Sequence, residues 1–335
     1  MDPLSQGTVG AAFAQSAANK NNIAKVSIVG FLAGLAPDLD ILIQSSTDPV
    51  LFLEYHRQFT HALIFIPFGA LIVSTLIFPL VKKSLSFKAT YIASFLGYAT
   101  HGLLDACTSY GTLLFWPFSN ERITWNNISI VDPLFTIPAI IFLAVAVKTS
   151  RRRFSFFAVG WIVSYLALGF VQYERALSSG IKLAQSRGHS AERMTLKPSF
   201  GNLILWKSIY QYGDSFYVDA IRTGRTLTWC PGETIKIFDY QYHLPDLEKN
   251  SQQMKDIERF RWFSQDYLGF DDDKNLVTDV RYSMVPNQIT PMWGLVIKEQ
   301  QGTNEHAVWW ASRDLDGESL TLFKEMLLSN KCTKS

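Results

Sequence analysis

Apolar residues are concentrated in the first half of the chain, where they form five long runs that contain few charges. The runs cover residues 26–44, 59–81, 89–107, 129–147 and 154–173. A helix needs about 20 mostly apolar residues to cross the hydrocarbon core of a bilayer, so the pattern predicts about five membrane helices. The first run contains Pro37, Asp38 and Asp40, which predicts that this helix is interrupted or only partly embedded.

From about residue 200 the pattern changes to short, β-like runs that are separated by Gly, Asp and Asn. These runs predict a small antiparallel sheet. Residues 248–268 and 316–329 are expected to form helices beside the sheet, and residues 174–200 a helix and a linker. The second half therefore has the pattern of an ordinary soluble domain.

The composition agrees with two domains of different kinds. Of the 335 residues, 48% are hydrophobic and 18% are charged, which is low on charge for a soluble protein and high for one wholly inside lipid. We predict an α-helical membrane domain over residues 1–175 and a small α+β, mostly antiparallel soluble domain over residues 176–335. The net charge of +2 gives no argument for nucleic acid as a partner.

Basic residues in the connecting loops predict the orientation in the membrane. Two loops carry most of them, and their members are Lys82, Lys83, Lys88, Lys148, Arg151, Arg152 and Arg153. The loops on the other side, 45–58 and 108–128, contain no Lys or Arg other than Arg57 and Arg122. The positive-inside rule therefore places both basic loops in the cytoplasm. With five crossings, the N-terminus is expected in the cytoplasm and the C-terminal domain outside, which in a bacterium is the periplasmic side.

The chain has three cysteines, and none of them belongs to a CxxC pair, so a thiolate metal site is not expected. Cys107 ends an apolar run and is expected to be packed there. Cys230 and Cys332 could pair if the C-terminal domain faces an oxidising compartment. The first 20 residues do not have the pattern of a cleavable signal peptide.

The ionisable residues of the apolar runs fall at one end of the predicted helices. They are Asp38, Asp40, His56, His61, His101, Asp105 and Asp132. The loop charges place all seven at the outer side of the membrane. Ionisable groups at membrane depth are costly and generally mark a functional site, so we expect these residues to converge.

Imidazole and carboxylate are the usual ligands of zinc and similar divalent ions. His101 and Asp105 are four residues apart and share one face of a helix. A bound ion makes hydroxide available from water at neutral pH, and a carboxylate that is not a ligand can accept the water proton. Arg57 could hold an anionic oxygen such as that of a phosphate. The pattern thus predicts a hydrolase, in which we give candidate catalytic roles to Asp40, Asp105 and Arg57.

Two other interpretations use the same residues. A single histidine on an apolar face is usually a packing residue, an aspartate near a helix end is often a cap, and polar groups can join membrane helices to one another. A non-enzymatic protein could use a metal ion to join its helices while the outer domain binds a partner. A transporter is disfavoured, because the polar groups lie at one end and no inverted repeat is evident.

Several motifs together resemble the YdjM-like, membrane-bound metal-dependent hydrolases of bacteria. The motifs are APDLD at 36–40, YHRQFTHAL at 55–63, HGLLD at 101–105 and SYGTLLFWPFS…ITW…ISIVDPLFTIP at 109–138. LKPSFGNLILWKSIY, RFRWFSQ and DVRYSMVP…PMWGLVI are similar to the tail of longer members, so the resemblance covers nearly the whole chain.

The resemblance implies a multi-pass inner-membrane protein with a divalent metal ion, zinc or a similar one, and a distant similarity to zinc phospholipase C. By position, the implied metal ligands are Asp38, Asp40, His56, His61, His101 and Asp105. Asp132 lies in the matching DP motif and is an additional candidate. Phosphoesters or lipid-like esters are the expected substrates, because the site would lie at headgroup level beside Arg57. Membrane lipid and a small or lipid-like molecule are the expected partners, and the soluble domain is expected to act as a cap or in substrate selection.

One position departs from the family pattern. Many members begin with a stretch like MDPLTH, whereas this chain has MDPLSQ, with Gln6 at the position of the histidine. Either that histidine is dispensable or this chain binds one ion fewer, or binds it more weakly. With a cytoplasmic N-terminus, Gln6 would reach the site only if the first segment is re-entrant or residues 8–25 form a further embedded helix.

Overall fold

The computed structural model describes residues 1–298, 302–314 and 316–329. The chain forms two compact units. The first, which we call the helical unit, consists of Met1–Leu42, Tyr55–Val171 and Phe200–Asn202. The second, which we call the sheet unit, consists of Ile43–Glu54, Gln172–Ser199 and Leu203–Ser335. The predicted fold class is confirmed: a helical N-terminal region with a His and Asp cluster is followed by an antiparallel sheet domain with short helices.

Six long helices build the N-terminal region. They are α1 (Pro3–Ser16), α2 (Ile23–Leu35), α4 (Ile66–Val81), α5 (Phe87–Ala106), α6 (Pro133–Thr149) and α7 (Arg153–Ser186), and the short α3 (Leu51–Tyr55) lies in the sheet unit. Three 3-10 helices, Ala36–Leu42, Phe59–His61 and Leu63–Phe65, flank α2 and α4. The predicted interruption of the first apolar run is thus real, since α2 ends at Leu35 and the tighter 3-10 turn carries Pro37.

Helix α1 is the helix that the count of five apolar runs omitted. It packs against α2 through glycines, because a Cβ at Gly30 would lie 2.6 Å from Gly10 O and one at Gly34 would lie 2.7 Å from Gln6 O. Gly30 and Gly34 have the GxxxG spacing that is typical of close helix packing. The close approach of the two backbones brings the first turns of α1 beside the end of α2.

The basic turns gather at one end of the helical unit. Ala18 and Ile23 of the α1–α2 turn pack in one cluster with Val81 and Leu85 of the α4–α5 turn. In the α6–α7 turn, the Arg152 guanidinium donates to the Ser16 carbonyl oxygen. The N-terminus lies at the opposite end of α1. The expectation of a cytoplasmic N-terminus came from a count of five crossings, which did not include α1.

The outward faces of the helical unit are apolar. Leu76 and Leu80 of α4 are 72% and 83% exposed, and large apolar side chains are also exposed on α6 and α7. Within the described residues, two helical stretches, Leu63–Val81 and Arg153–Ser186, are long and apolar enough to cross a membrane, and Pro133–Thr149 is shorter. Exposed apolar side chains on three helices suit contact with lipid rather than water.

Two antiparallel sheets form the framework of the sheet unit. Their strands are β1 (Arg193–Pro198), β2 (Leu205–Tyr212), β3 (Ser215–Thr223), β4 (Leu227–Cys230), β5 (Thr234–Lys236), β6 (Leu268–Asp271), β7 (Leu276–Asp279), β8 (Trp293–Val296) and β9 (Val308–Ala311). The first sheet has the order β1-β2-β3-β4, with β5 also paired to β3, and the second has the order β6-β7-β8-β9. The helices of the sheet unit that follow β5 are α8 (Tyr240–His243), α9 (Gln252–Phe263) and α10 (Gly317–Leu328).

The cysteines agree with the prediction as far as the structure describes them. Cys107 follows α5 as a buried free thiol, as expected of a packed residue. Cys332 lies outside the described residues, so its pairing with Cys230 stays a prediction.

Candidate metal centre

Four side chains from three segments of the helical unit point at a common centre. Asp38 lies in the 3-10 helix that follows α2, and His61 ends the 3-10 helix before α4. His101 and Asp105 lie one turn apart on α5, as their spacing predicts. One ligand atom from each of the four lies within 4.8 Å of the others. His61, His101 and Asp105 are fully buried at their side chains, whereas the Asp38 side chain is 26% exposed.

The distances among these atoms fit a tetrahedral cation. The Nε2 atoms of His61 and His101 are 2.9 Å apart. Asp105 Oδ2 lies 3.2 and 3.5 Å from these two nitrogens, and Asp38 Oδ1 lies 3.5 and 3.2 Å from them. Tetrahedral zinc with bonds of about 2.0–2.1 Å requires its ligands to be about 3.3–3.4 Å apart. The donor set and its spacing therefore fit a divalent ion.

The other ring nitrogens fix the orientation of both imidazoles. His101 Nδ1 lies 2.5 Å from the Gly34 carbonyl oxygen, to which it donates. His61 Nδ1 lies 3.2 Å from Asp40 Oδ2. A proton on each Nδ1 leaves the Nε2 lone pairs directed at the centre, as in metal sites whose histidines are held by a carbonyl or a carboxylate.

Asp40 is not among these four residues. Its carboxylate lies beside His61 Nδ1, the ring nitrogen that faces away from the centre. Its carboxylate accepts from the Arg57 N–H at 3.0 Å and the Thr60 hydroxyl at 2.7 Å, and it lies 2.7 Å from His56 Nδ1. Asp38, Asp40 and His56 form a second group with ligand atoms within 4.8 Å of one another. Because the Asp40 oxygens already accept from several donors, this second group is the poorer cation site. Burial lowers the pKa of His56, and the nearby Arg57 lowers it further, against the opposing effect of Asp40.

Arg57 approaches the centre from a left-handed backbone conformation, with φ of 66°. Such a conformation is uncommon for a residue other than glycine. Hydrogen bonds of both backbone groups of Arg57 stabilise it here. The Arg57 N–H donates to Asp40, and its carbonyl accepts from the Leu113 N–H at 3.0 Å. The buried guanidinium lies with Nε 3.1 Å from Asp105 Oδ2 and 4.8 Å from the Tyr110 ring centroid. A permanent positive charge is thus fixed beside the centre.

Two buried acceptor atoms at the centre have no hydrogen bond. They are Asp105 Oδ2 and Gln6 Oε1. The Gln6 amide donates to Asp105 Oδ1 at 2.9 Å, and the amino group of Met1 also contacts that oxygen. An unsatisfied buried acceptor costs about 1–3 kcal/mol, a cost that a bound cation would remove. Gln6 therefore reaches the site, as it would if α1 is an embedded helix.

Asp132 does not join the group. Its carboxylate accepts from the N–H groups of Leu134 and Phe135 at the start of α6 and from the Tyr165 hydroxyl at 2.8 Å. Asp132 is therefore the N-cap of α6, in agreement with the alternative interpretation of an aspartate near a helix end.

A third group, which was not predicted from the sequence, lies in the sheet unit and consists of Asp48, Asp256 and His306. Arg259 occupies it, with its guanidinium nitrogens 2.9 Å from both Asp48 oxygens and 3.3 Å from Asp256 Oδ1. The guanidinium already supplies the positive charge that a metal ion would bring. Nothing in the spacing of residues 48, 256 and 306 indicates this cluster.

These features define the protein as a helical membrane protein with a buried His and Asp group of the kind that holds a metal ion. The family described as YdjM inner membrane protein matches residues 1–176, which is just over half of the chain. The chain belongs to this family of inner-membrane proteins, which confirms the resemblance over residues 1–176.

One curated relative is similar at lower identity. The uncharacterized protein YfhP of Bacillus subtilis (strain 168) is 26% identical over 124 residues, which is 37% of this chain and 37% of the relative. The matched region thus spans little more than a third of that relative. No solved structure matches the chain.

Proposed function

We propose that this protein is a membrane-bound hydrolase that uses one divalent metal ion, of which zinc is the best candidate. The observation that supports it most is the buried set of Asp38, His61, His101 and Asp105, whose donor atoms have the spacing of a tetrahedral site. His101 is oriented by a carbonyl and His61 contacts a hydroxyl and a carboxylate, and Asp105 Oδ2 accepts no hydrogen bond although Arg57 Nε lies 3.1 Å away. These are the features of a metal site and are not needed for packing alone.

When bound, the ion would lower the pKa of a coordinated water to near neutral and polarise the bond under attack. Asp38 is the exposed member of the set, so substrate would approach from its side. Asp40 would hold His56 through Nδ1, and the free nitrogen of the His56 ring would accept the proton of the attacking water. This assignment moves the base from Asp40, whose oxygens already accept hydrogen bonds, to His56.

Arg57 supports an anionic substrate. Its guanidinium is buried next to Asp105 and stacks over Tyr110, so it could hold one phosphoryl or carboxyl oxygen at a fixed position. With the exposed apolar side chains of α4, α6 and α7 in lipid, the site would lie near the surface of the bilayer. We therefore infer a phosphoester or lipid-like ester as substrate and membrane lipid as its environment.

The orientation belongs to the same proposal. The basic turns gather at one end of the helical unit and the His and Asp group at the other. With the basic end in the cytoplasm, the site and the sheet unit would face the periplasm. Cysteine-accessibility labelling from either side of the membrane tests this at Lys20 and Ser45, each replaced by cysteine in a background in which Cys107, Cys230 and Cys332 are replaced by alanine. Labelling of position 20 from the periplasm would contradict it.

The test of the enzyme proposal combines metal analysis with a substrate panel. Protein purified in detergent is analysed for bound metals and assayed against phosphomonoesters, phosphodiesters and lipid esters, with and without a chelator. His61→Ala and Asp105→Ala are expected to lose both the ion and hydrolysis, and His243→Ala, a histidine of the sheet unit outside all three groups, should retain both. Full chelator-resistant hydrolysis in both site variants would remove the assignment.

A structural metal ion is the second candidate, and one observation favours it. The four residues complete a tetrahedral set from protein side chains alone, and three of them are fully buried, as in structural zinc sites. In that case the ion would be bound stoichiometrically and would raise the melting temperature, and no ester of the panel would be hydrolysed. An exchangeable water on the bound ion, detected by relaxation measurements with Mn²⁺ or Co²⁺ in its place, would favour the enzyme.

A further inference from the structure

A buried lysine in the sheet unit has no carboxylate partner. Lys207 lies on β2, paired with Lys197 of β1 on one side and Ala220 of β3 on the other, so its backbone is fixed within the sheet. Only 1% of the residue is exposed. Among the described residues, no carboxylate lies within ion-pair distance of its amine. Buried lysines are rare unless paired, so this one requires an explanation.

The Lys207 amine contacts a serine hydroxyl. Its Nζ lies 2.7 Å from Ser283 Oγ, which is 76 residues away in the chain, and 2.7 Å from the Gln288 carbonyl oxygen. The charged groups around it are engaged elsewhere or are also cationic. Asp279 forms a bidentate pair with Arg281, the exposed Glu233 accepts from the Ile289 N–H, and Lys197 lies against the Tyr282 ring.

Burial lowers the pKa of Lys207 to about 7, against the opposing effects of Glu233 and Asp279. A substantial fraction of the amine is therefore neutral at physiological pH. A neutral amine has a lone pair and can accept a proton, which an ordinary surface lysine cannot do at this pH.

Ser283 is half-buried and lies in the loop between β7 and β8. Its hydroxyl can donate to the Val285 carbonyl oxygen at 2.7 Å or to the neutral Lys207 amine. Among the described residues, the backbone N–H groups of Ser283 and Met284 have no hydrogen-bond acceptor. The same loop contributes Met284 and Gln288 to the wall of an open cavity of about 1100 Å³.

We propose that Ser283 and Lys207 form a nucleophile and base pair, a second hydrolytic site that acts on a carboxylic ester or amide. The hydroxyl, the adjacent amine and the free N–H groups are the three parts that acyl transfer requires. The cavity is also lined by Asp314, Asp316, Glu318 and Glu325, and Lys274 is the one cation among its described lining residues. Ser283 itself is not among the described residues that line this cavity, so the substrate is assigned only to the class of carboxylic esters and amides. This proposal does not rest on the metal centre, which has a different chemistry.

The reaction needs no additional reagent besides water. Ser283 Oγ would bond to the carbonyl carbon while its proton moves to Lys207 Nζ, and the N–H groups of Ser283 and Met284 would hold the carbonyl oxygen. The bond to the leaving group would then break, and the leaving alcohol or amine would take the proton from Nζ. Water would cleave the acyl-serine with Lys207 again as base, which returns the free hydroxyl and releases the acid.

A fluorophosphonate probe tests the pair directly, because it phosphonylates activated serines. The full chain, purified in detergent, is expected to be labelled at Ser283, as located by mass spectrometry of the peptide. The labelling rate should rise through about pH 7 as Lys207 loses its proton. Lys207→Arg keeps the positive charge but removes the base, and should lower the rate by about 100-fold or more.

Three controls separate this site from other effects. Ser186→Ala removes a hydroxyl of the same unit that donates to a carbonyl oxygen at 2.7 Å, and should leave labelling unchanged. A chelator and the Asp105→Ala variant should also leave it unchanged, whereas both affect the metal centre. If Ser283→Ala fails to fold, the position of the adduct in the natural protein still decides. The absence of an adduct on Ser283, or an equal rate in the folded Lys207→Arg variant, would overturn the proposal.

Discussion

The helical unit and the sheet unit each contain a His and Asp cluster, and the two differ in what balances their negative charge. In the helical unit, Asp38 and Asp105 face two imidazoles, Arg57 lies at one side, and Asp105 Oδ2 has no hydrogen bond. In the sheet unit, Arg259 lies between the carboxylates of Asp48 and Asp256. Suitable residue types lying close together are therefore not sufficient for a metal site. An acceptor that the protein itself leaves without a donor is the more informative sign.

The largest expected difference is in metal content. His61→Ala removes a donor at the centre and should reduce the bound ion from about one per chain to background, because zinc sites require about four ligands. His306→Ala should leave the metal content unchanged, since Arg259 already occupies its cluster. Elemental analysis of both proteins after gel filtration in detergent measures this. Equal loss in the two variants would erase the distinction between the clusters.

Removal of Arg259 should convert the sheet-unit cluster of Asp48, Asp256 and His306 into a weak cation site. Arg259→Ala leaves Asp48, Asp256 and Glu54 without their common partner. The loss in the free energy of unfolding should be about 1–3 kcal/mol, discounted because the arginine and two of its partners are partly exposed. Added Ca²⁺ or Zn²⁺ should then raise the melting temperature of the variant more than that of the natural protein.

Arg261→Ala is the matched control on the same helix. Arg261 pairs with Glu258 and Asp266, both of which are exposed, so its removal should cost about 0–1 kcal/mol and create no response to cations. The idea that Arg259 takes the place of a metal ion would be wrong if both variants responded alike.

A smaller effect is expected behind the metal ligands. Asp40→Asn keeps the shape of the side chain but weakens its contact with His61 Nδ1 and with the Thr60 hydroxyl that lies 3.0 Å from the same nitrogen, and loss of such a partner typically lowers metal affinity by about 10- to 100-fold. Competition with a coloured chelator measures the change. Asp132→Asn, at a buried aspartate that caps α6, should not alter the affinity. An unchanged affinity in Asp40→Asn would show that Asp40 does not orient His61.

The smallest expected effect is at Gln6. Gln6→His introduces a better zinc donor next to Asp105 and should raise the affinity by up to about tenfold, which corresponds to about 1.4 kcal/mol. Gln15→His changes another buried glutamine of α1, whose amide donates to Ser27 at 2.7 Å, and should have no effect. The role inferred for Gln6 would not stand if its histidine variant bound the ion more weakly than the natural protein.

Much of the helical unit could be predicted from local sequence. Apolar runs of this length are typical of helices that cross a bilayer, and five of the six long helices have such a run. Helix α1 lacks one because it is short, rich in small residues and buried by protein rather than lipid. Its contribution to the site, through Gln6, depends on the close approach of Gly10 to Gly30 and Gly34.

The candidate site was only partly predictable for the same reason. His101 and Asp105 share a helix face by spacing alone, whereas the separation of Asp38 from Asp40 required the 3-10 turn that directs one inward and the other behind His61. Asp132 has the same composition signal as the site residues but caps a helix. The position of an aspartate along the chain could not distinguish a metal ligand from a helix cap.

Local sequence was sufficient to indicate an apolar helical part and a sheet part, the common end of the helices at which the ionisable residues lie, and the family. These follow from hydrophobic periodicity, charge and ordered motifs, which act locally along the chain. The lack of a donor at Asp105 Oδ2, the position of Arg259 in the sheet-unit cluster and the contact of Lys207 with Ser283 became evident only from the fold. Those contacts join residues tens to hundreds of positions apart, and their energies depend on burial and distance, which no local pattern encodes.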